Sequence, residues 1–165
     1  MITIITKRDQ NIINFLEDFH VATSHQIHDI FFNNTSYRYT RMRLQYLSEQ
    51  KHIKRIKNTI SNGYAYYIDK KPLQIHHDLL RTELYVNINK LYNIVDWQNE
   101  IPIGNIRPDA FAYIEDNSII FPVFIEVHLN NKFDFEKYKK LKQEFDFKLL
   151  FKFTPRVIIC TDQEL

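Results

Sequence analysis

Asn105-Ile106-Arg107-Pro108-Asp109 leads into one alternating apolar run, and Phe124-Ile125-Glu126-Val127-His128 closes the next. Between them Glu115-Asp116-Asn117-Ser118 is a turn signal, so the two runs read as neighbouring strands. Pairing brings Asp109 and Glu126 together, and period-two alternation sets Glu126 and His128 on one face. Carboxylates clustered in this way hold Mg2+ in phosphodiester cleavage, with a base, often Lys, holding or deprotonating the attacking water. Asp109, Glu126 and His128 are therefore the candidate catalytic residues. Asp109 and Glu126 are the candidate metal ligands, with Glu83 or Glu100 as a third acid. His128 stands where the lysine is expected, and imidazole can act as a base near neutral pH. The competing reading is structural: Arg107 pairs with Asp109, and Glu126 satisfies buried neighbours. On that reading no cofactor is needed; on the first, Mg2+ is.

Working outward, a polar helix spans Asp134–Phe145 with Tyr138, Leu141 and Phe145 inward, and a last strand runs Arg156–Cys160. Upstream, residues 93–103 read as a short strand containing Glu100. Leu73–Tyr92, after Pro72, has no breaker and reads as a helix joining two halves. The order of the second half is α, β, β, β, α, β.

The first half begins with Met1–Thr6, a short strand or arm. Ile12, Ile13, Leu16 and Phe19 then fall at helical spacing over Lys7–Phe19, with Thr6 as N-cap and Asp9 three residues on. Thr23 or Ser24 caps a second helix to Ile30, whose inner face is Ile27, Ile30 and Phe31. Thr35 or Ser36 caps a third to about Gln50, with Tyr37, Thr40, Leu44 and Leu47 as its stripe. His52–Ile56 and Tyr64–Ile68 are strands around a turn at Asn58–Gly63, where Gly63 is free to take positive φ. Helix, helix, helix, hairpin is the order of a winged helix-turn-helix.

Composition narrows the classes. With 44% hydrophobic residues, 2 Gly and 5 Pro, the chain can fill a core and is not low-complexity. A single cysteine, Cys160, excludes a disulfide framework and a cysteine-based zinc cluster, and its apolar run reads as a buried thiol. His25 and His28 share a helical face with no third ligand in view. No stretch reads as a signal peptide or a membrane span, so the expectation is a soluble cytoplasmic protein with no membrane partner.

The net charge of +2 is unevenly spread. Residues 1–82 carry 12 basic and 7 acidic side chains, and residues 83–165 carry 10 and 13. Between Ser36 and Lys57 lie 7 basic residues and one acid, Glu49. A basic front half suits a polyanion. If Tyr37, Leu44 and Leu47 face inward, Arg38 and Arg43 are free for guanine edges in a major groove. Thr35, Ser36, Tyr37 and Tyr39 sit where a helix N-terminus meets phosphate. Lys54, Arg55, Lys57 and Asn58 run along the hairpin. With Arg41 and Met42, these form the candidate DNA-binding set. The alternatives are a solvated basic face and a protein-binding module.

Arg43-Leu44-Gln45-Tyr46-Leu47, Ile53-Lys54-Arg55, His76-His77-Asp78-Leu79-Leu80, Arg107-Pro108-Asp109 and Phe124–His128 before Lys137-Tyr138 together resemble the replication-relaxation proteins of Gram-positive plasmids, phages and integrative elements. The resemblance spans about residues 5–160. It implies an α+β chain: a winged helix-turn-helix over residues 1–71, then a small restriction-endonuclease-like α/β domain with a mixed sheet over 72–165. In nucleases of that type the pattern is an acid followed by Glu-x-Lys, to which Asp109 and Glu126 conform and His128 does not. In replication-relaxation proteins the last slot is commonly an acid, which favours a fold kept for scaffolding, dimerisation or DNA contact. A closing helix after the last strand is also implied, absent here or supplied by a partner. The implied partners are double-stranded DNA, a second copy of the chain, and other replication or transfer proteins. The rivals are a Mg2+-dependent endonuclease and a protein-binding adaptor.

Overall fold

A computed structural model describes residues 5–58, 63–129, 134–144, 146, 147 and 151–161. Met1–Ile4 of the expected arm, most of the hairpin turn and Phe145 lie outside these residues. The chain divides into two compact units, residues 1–86 and 87–165. It is an α+β protein with a mixed four-stranded sheet in its second unit.

In the first unit α1 spans Lys7–Phe19. Its start is a complete capping box: the Thr6 side chain accepts from Asp9 N, and the Asp9 carboxylate accepts from Thr6 N at 2.7 Å. Ile12, Phe15, Leu16 and Phe19 form its buried stripe. A two-residue strand, β1 (Ala22–Thr23), precedes α2 (Ser24–Phe31), which Thr23 caps with Gln26 closing a second capping box. α3 (Tyr37–Glu49) is capped by Ser36 and buries Thr40, Leu44 and Leu47, as its spacing dictates.

β2 (Lys54–Asn58) and β3 (Gly63–Tyr67) pair antiparallel, and β1 joins β3 on its other edge to give the order β1-β3-β2. β2 starts two residues later than the apolar pattern suggests. Gly63 belongs to β3, and the positive-φ glycine among the described residues is Gly104. The sequence showed only an interruption at Val21–Ser24. Two residues are too few for a periodic signal, and the β3 partner is distant in sequence.

α4 runs Ile75–Leu91, two residues after the expected start, and Leu73 is fully exposed. Its first part belongs to the first compact unit, which ends at Val86, beyond the 71/72 boundary expected from the sequence. The cause is polar as well as apolar. Gln26, 4% exposed, donates to Leu79 O at 3.0 Å and to Glu83 Oε2 at 2.8 Å. The Thr82 hydroxyl lies 3.0 Å from Val21 O. Val21, Ala65 and Leu79 form an apolar cluster with Ile56 and Ile75, and Tyr85 packs on Phe15 and Phe19. Arg81, fully buried, donates to Asp78 Oδ1 at 3.0 Å.

In the second unit β4 (Asn93–Asn99), β5 (Ala110–Asp116), β6 (Ile119–His128) and β7 (Arg156–Thr161) lie in that order. The first three are antiparallel, and β7 is parallel to β6. The parallel pair requires a crossover, and α5 (Glu136–Glu144) lies on that connection. Tyr138 and Leu141 bury its inner face against Phe111 and Phe124. Glu100 is not in a strand: β4 ends at Asn99, and Glu100 takes φ 52°. Cys160 is half-buried.

Candidate nucleic-acid interface and acid cluster

The α3 stripe that buries Thr40, Leu44 and Leu47 turns Arg38, Arg41, Met42 and Gln45 outward. On β2 the register pairs Arg55 with Tyr66 and Lys57 with Tyr64, so these four share one sheet face while Ile56 points into the core. Helix and sheet face together enclose a cleft of about 460 Å³ lined by Tyr37, Arg38, Arg41, Met42, Gln45, Arg55, Tyr64 and Tyr66. Three guanidinium groups line it and no acid does.

Within the cleft the Arg55 guanidinium sits 4.7 Å from the Tyr64 ring centroid, which fixes its plane. Tyr66 forms part of the wall with only 2% exposure. Burial pushes its hydroxyl above the usual tyrosine range, and the Arg55 and Arg41 charges oppose that rise. Both cations are thus close enough to act on this one phenol. Tyr37 is locked from behind: its hydroxyl is 2.7 Å from Ser24 Oγ, and its ring stacks on His25 at 4.1 Å with His28 edge-on.

The other members of the expected DNA-binding set divide. Arg38, Arg41 and Met42 are exposed, as are Ser36, Tyr39 and Lys57. Ser36 serves as N-cap, and Tyr39 lies edge-on to Phe32. Lys54 faces away from the cleft and donates to Asp69 O. Asn58 is buried at the end of β2 and is not presented on the hairpin. Arg43 is engaged inside the unit. Its Nε donates to Asp9 Oδ1 at 2.9 Å, and its terminal nitrogen meets Asp9 Oδ2. Burial pushes the Asp9 carboxyl up, but hydrogen bonds from Arg43 and Thr6 outweigh it and hold the pKa down to about 2. Arg43 is raised in turn, first by its hydrogen bond to Asp9. Gln45, Tyr64 and Tyr66 were missed by the sequence reading. For Tyr64 and Tyr66 the signal was the alternation of β3 against Arg55, which fixes a shared face once the register is known.

In the second unit Ala110 pairs with Ile125, which sets Asp109 and Glu126 on adjoining strands. The Asp109 Oδ2 accepts from Val127 N at 2.7 Å. Glu126, 4% exposed, faces α5: Lys137 Nζ is 2.6 Å from its Oε1, and the Tyr138 hydroxyl donates to the same oxygen. His128 Nε2 lies 3.6 Å from Glu126 Oε2. Burial first, then the hydrogen bond to Glu126 and the Glu126 and Asp109 charges, pushes Tyr138 far above its usual range. Asp109, Glu126 and His128 do not bring three ligand atoms within 4.8 Å of one another. Of the other expected ligands, the Glu83 carboxylate accepts from Gln26 in the first unit, and Glu100 pairs with Arg107 at 3.1 Å. Glu126 is thus engaged by Lys137 and Tyr138, and Asp109 by Val127 N. The expected Arg107–Asp109 pair is replaced by Arg107–Glu100, while Glu126 does satisfy buried neighbours.

The class these features define is a two-unit α+β protein whose first unit offers an anion-attracting cleft between a helix and a small antiparallel sheet. Residues 13–84 match the family model described as replication-relaxation, and over that stretch the chain is similar to that family. The match starts within α1 and ends within α4, so it covers most of the first unit. No curated protein and no solved structure matches the chain. Among the described residues no helix is long and apolar enough to cross a membrane.

Proposed function

We propose that the protein binds double-stranded DNA and acts in the replication or transfer of a plasmid, phage or integrative element. The observation that carries this reading is the cleft: three guanidinium groups and three tyrosines with no acid, in the unit that matches the replication-relaxation family. We read that unit as a winged helix-turn-helix, with α3 in the major groove and β2–β3 as the wing. A concave surface of one charge sign raises the local concentration of a polyanion and its rate of encounter. Gram-positive bacteria are its proposed source. Its proposed partners include a second copy of the chain and other replication or transfer proteins in the cytoplasm.

The second unit we read as a nuclease-like scaffold in which Glu126 holds α5 to the sheet through Lys137 and Tyr138 and no metal cofactor is used. Fluorescence anisotropy with a labelled duplex tests the main reading. Binding that weakens steeply with salt and is lost in Arg38→Ala/Arg41→Ala/Arg55→Ala supports it. The absence of a signal from the wild-type protein at low salt refutes it and favours the adaptor reading.

A further inference from the structure

We propose that the α3–hairpin cleft seats one phosphodiester group of the DNA strand between Arg41 and Arg55, and that base discrimination falls to Arg38 and Met42. This deepens the DNA-binding reading and rests on it. Phosphate is recognised best by planar guanidinium forks held in place beforehand. Arg55 meets that condition because Tyr64 lies beneath it and the β2–β3 register holds both on one face. Arg41 approaches from the helix on the opposite wall, and Tyr66 forms part of the surface near both.

Arg38 and Met42 are differently placed. Arg38 lies in the first turn of α3, two residues after the Ser36 cap, and Met42 is one turn further on at 60% exposure. Side chains in the first turns of a groove-bound helix reach base edges. A thioether can pack on a thymine methyl, and an exposed guanidinium can reach guanine O6 and N7. Phosphate contacts position the protein but carry no sequence information, so the two groups of residues predict separable effects.

The test uses the full chain, a random-sequence duplex for salt dependence, and a randomised duplex library for base preference. Arg41→Ala and Arg55→Ala are each expected to reduce the slope of log affinity against log salt by about 0.9. Each should weaken binding roughly tenfold and leave the preferred sequence unchanged. Arg55→Lys should recover most of the slope. Arg38→Gln and Met42→Ala should retain the slope and relax or change the preferred bases. Altered base preference with an intact slope in Arg41→Ala or Arg55→Ala overturns the proposal while leaving DNA binding in place. Wild-type protein that binds no duplex overturns the DNA-binding reading itself. All four side chains are exposed, and thermal unfolding of each variant should match the parent.

Discussion

The Arg43 guanidinium on α3 grips the Asp9 carboxylate at the first turn of α1 with two of its nitrogens, while Asp9 also closes the α1 capping box. One buried acid therefore ties a helix start to a neighbouring helix. Asp9 is 1% exposed, so removing its partner leaves a buried charge held by the cap alone. Arg43→Ala is expected to cost about 2–4 kcal/mol in urea unfolding, toward the range for breaking a buried pair. Asp9→Asn should cost less, because the amide oxygen can still accept from Thr6 N. Equal stability of Arg43→Ala and wild type would remove the pair's structural role. DNA affinity measured where the variant remains folded should change little.

The same acid gives a pH dependence. The folded pKa of about 2 lies below the usual aspartate value of 3.8, so the folded state favours the ionised form. Its stability contribution is full above the unfolded pKa and is lost as pH falls through the folded one. The shift corresponds to about 2 kcal/mol. Between pH 5 and pH 2 the wild type should lose about this much more stability than Asp9→Asn. Parallel acid limbs for the two proteins would contradict the assignment.

Local chemistry made much of this fold legible. Thr6 and Asp9 announced α1 by a capping box, and the apolar spacing of Leu44 and Leu47 announced the buried stripe of α3. The second unit's strand pair was visible because alternation survives in Ala110–Asp116 and Ile119–His128. What escaped notice depends on distant partners. Arg43 looked free because an exposed-looking helix position shows nothing of the acid on α1, 34 residues away. The contact of Lys137 with Glu126 is one of these, because it needs the α5 placement. The compact units divide at 86/87 and not at 71/72, and Gln26 and Thr82, polar residues that hydropathy assigns to solvent, join α4 to the first unit.

That boundary is itself testable. A chain ending at Lys71 exposes Val21 and Ala65, removes Leu79 from their cluster and leaves buried Gln26 without its Leu79 and Glu83 acceptors. An unsatisfied buried amide costs about 1–3 kcal/mol, and the lost apolar burial adds to it. A fragment ending at Tyr92 should melt cooperatively by circular dichroism, and one ending at Lys71 should not. Cooperative melting of the shorter fragment at the same temperature would restore the boundary at 71/72. In the full chain Gln26→Ala should show part of the same loss.

Glu126 supplies the final prediction, because its partners decide between a scaffold and a reaction centre. Lys137 and Tyr138 both engage Oε1, and His128 lies at Oε2, so the carboxylate is occupied by its own unit. On the scaffold reading Tyr138→Phe should cost about 1–3 kcal/mol, since the buried acid loses a hydrogen bond. Lys137→Met and Glu126→Gln should be non-additive, with a coupling of about 0.5–3 kcal/mol in a double-mutant cycle. Supercoiled plasmid incubated with the protein and Mg2+ or Mn2+ should remain supercoiled. Nicking that disappears in Asp109→Ala would reverse the assignment. Lys137 would then be the first residue to test as the amine beside the attacking water, because His128 holds the strand position where that lysine was expected and Lys137 reaches Glu126 from α5.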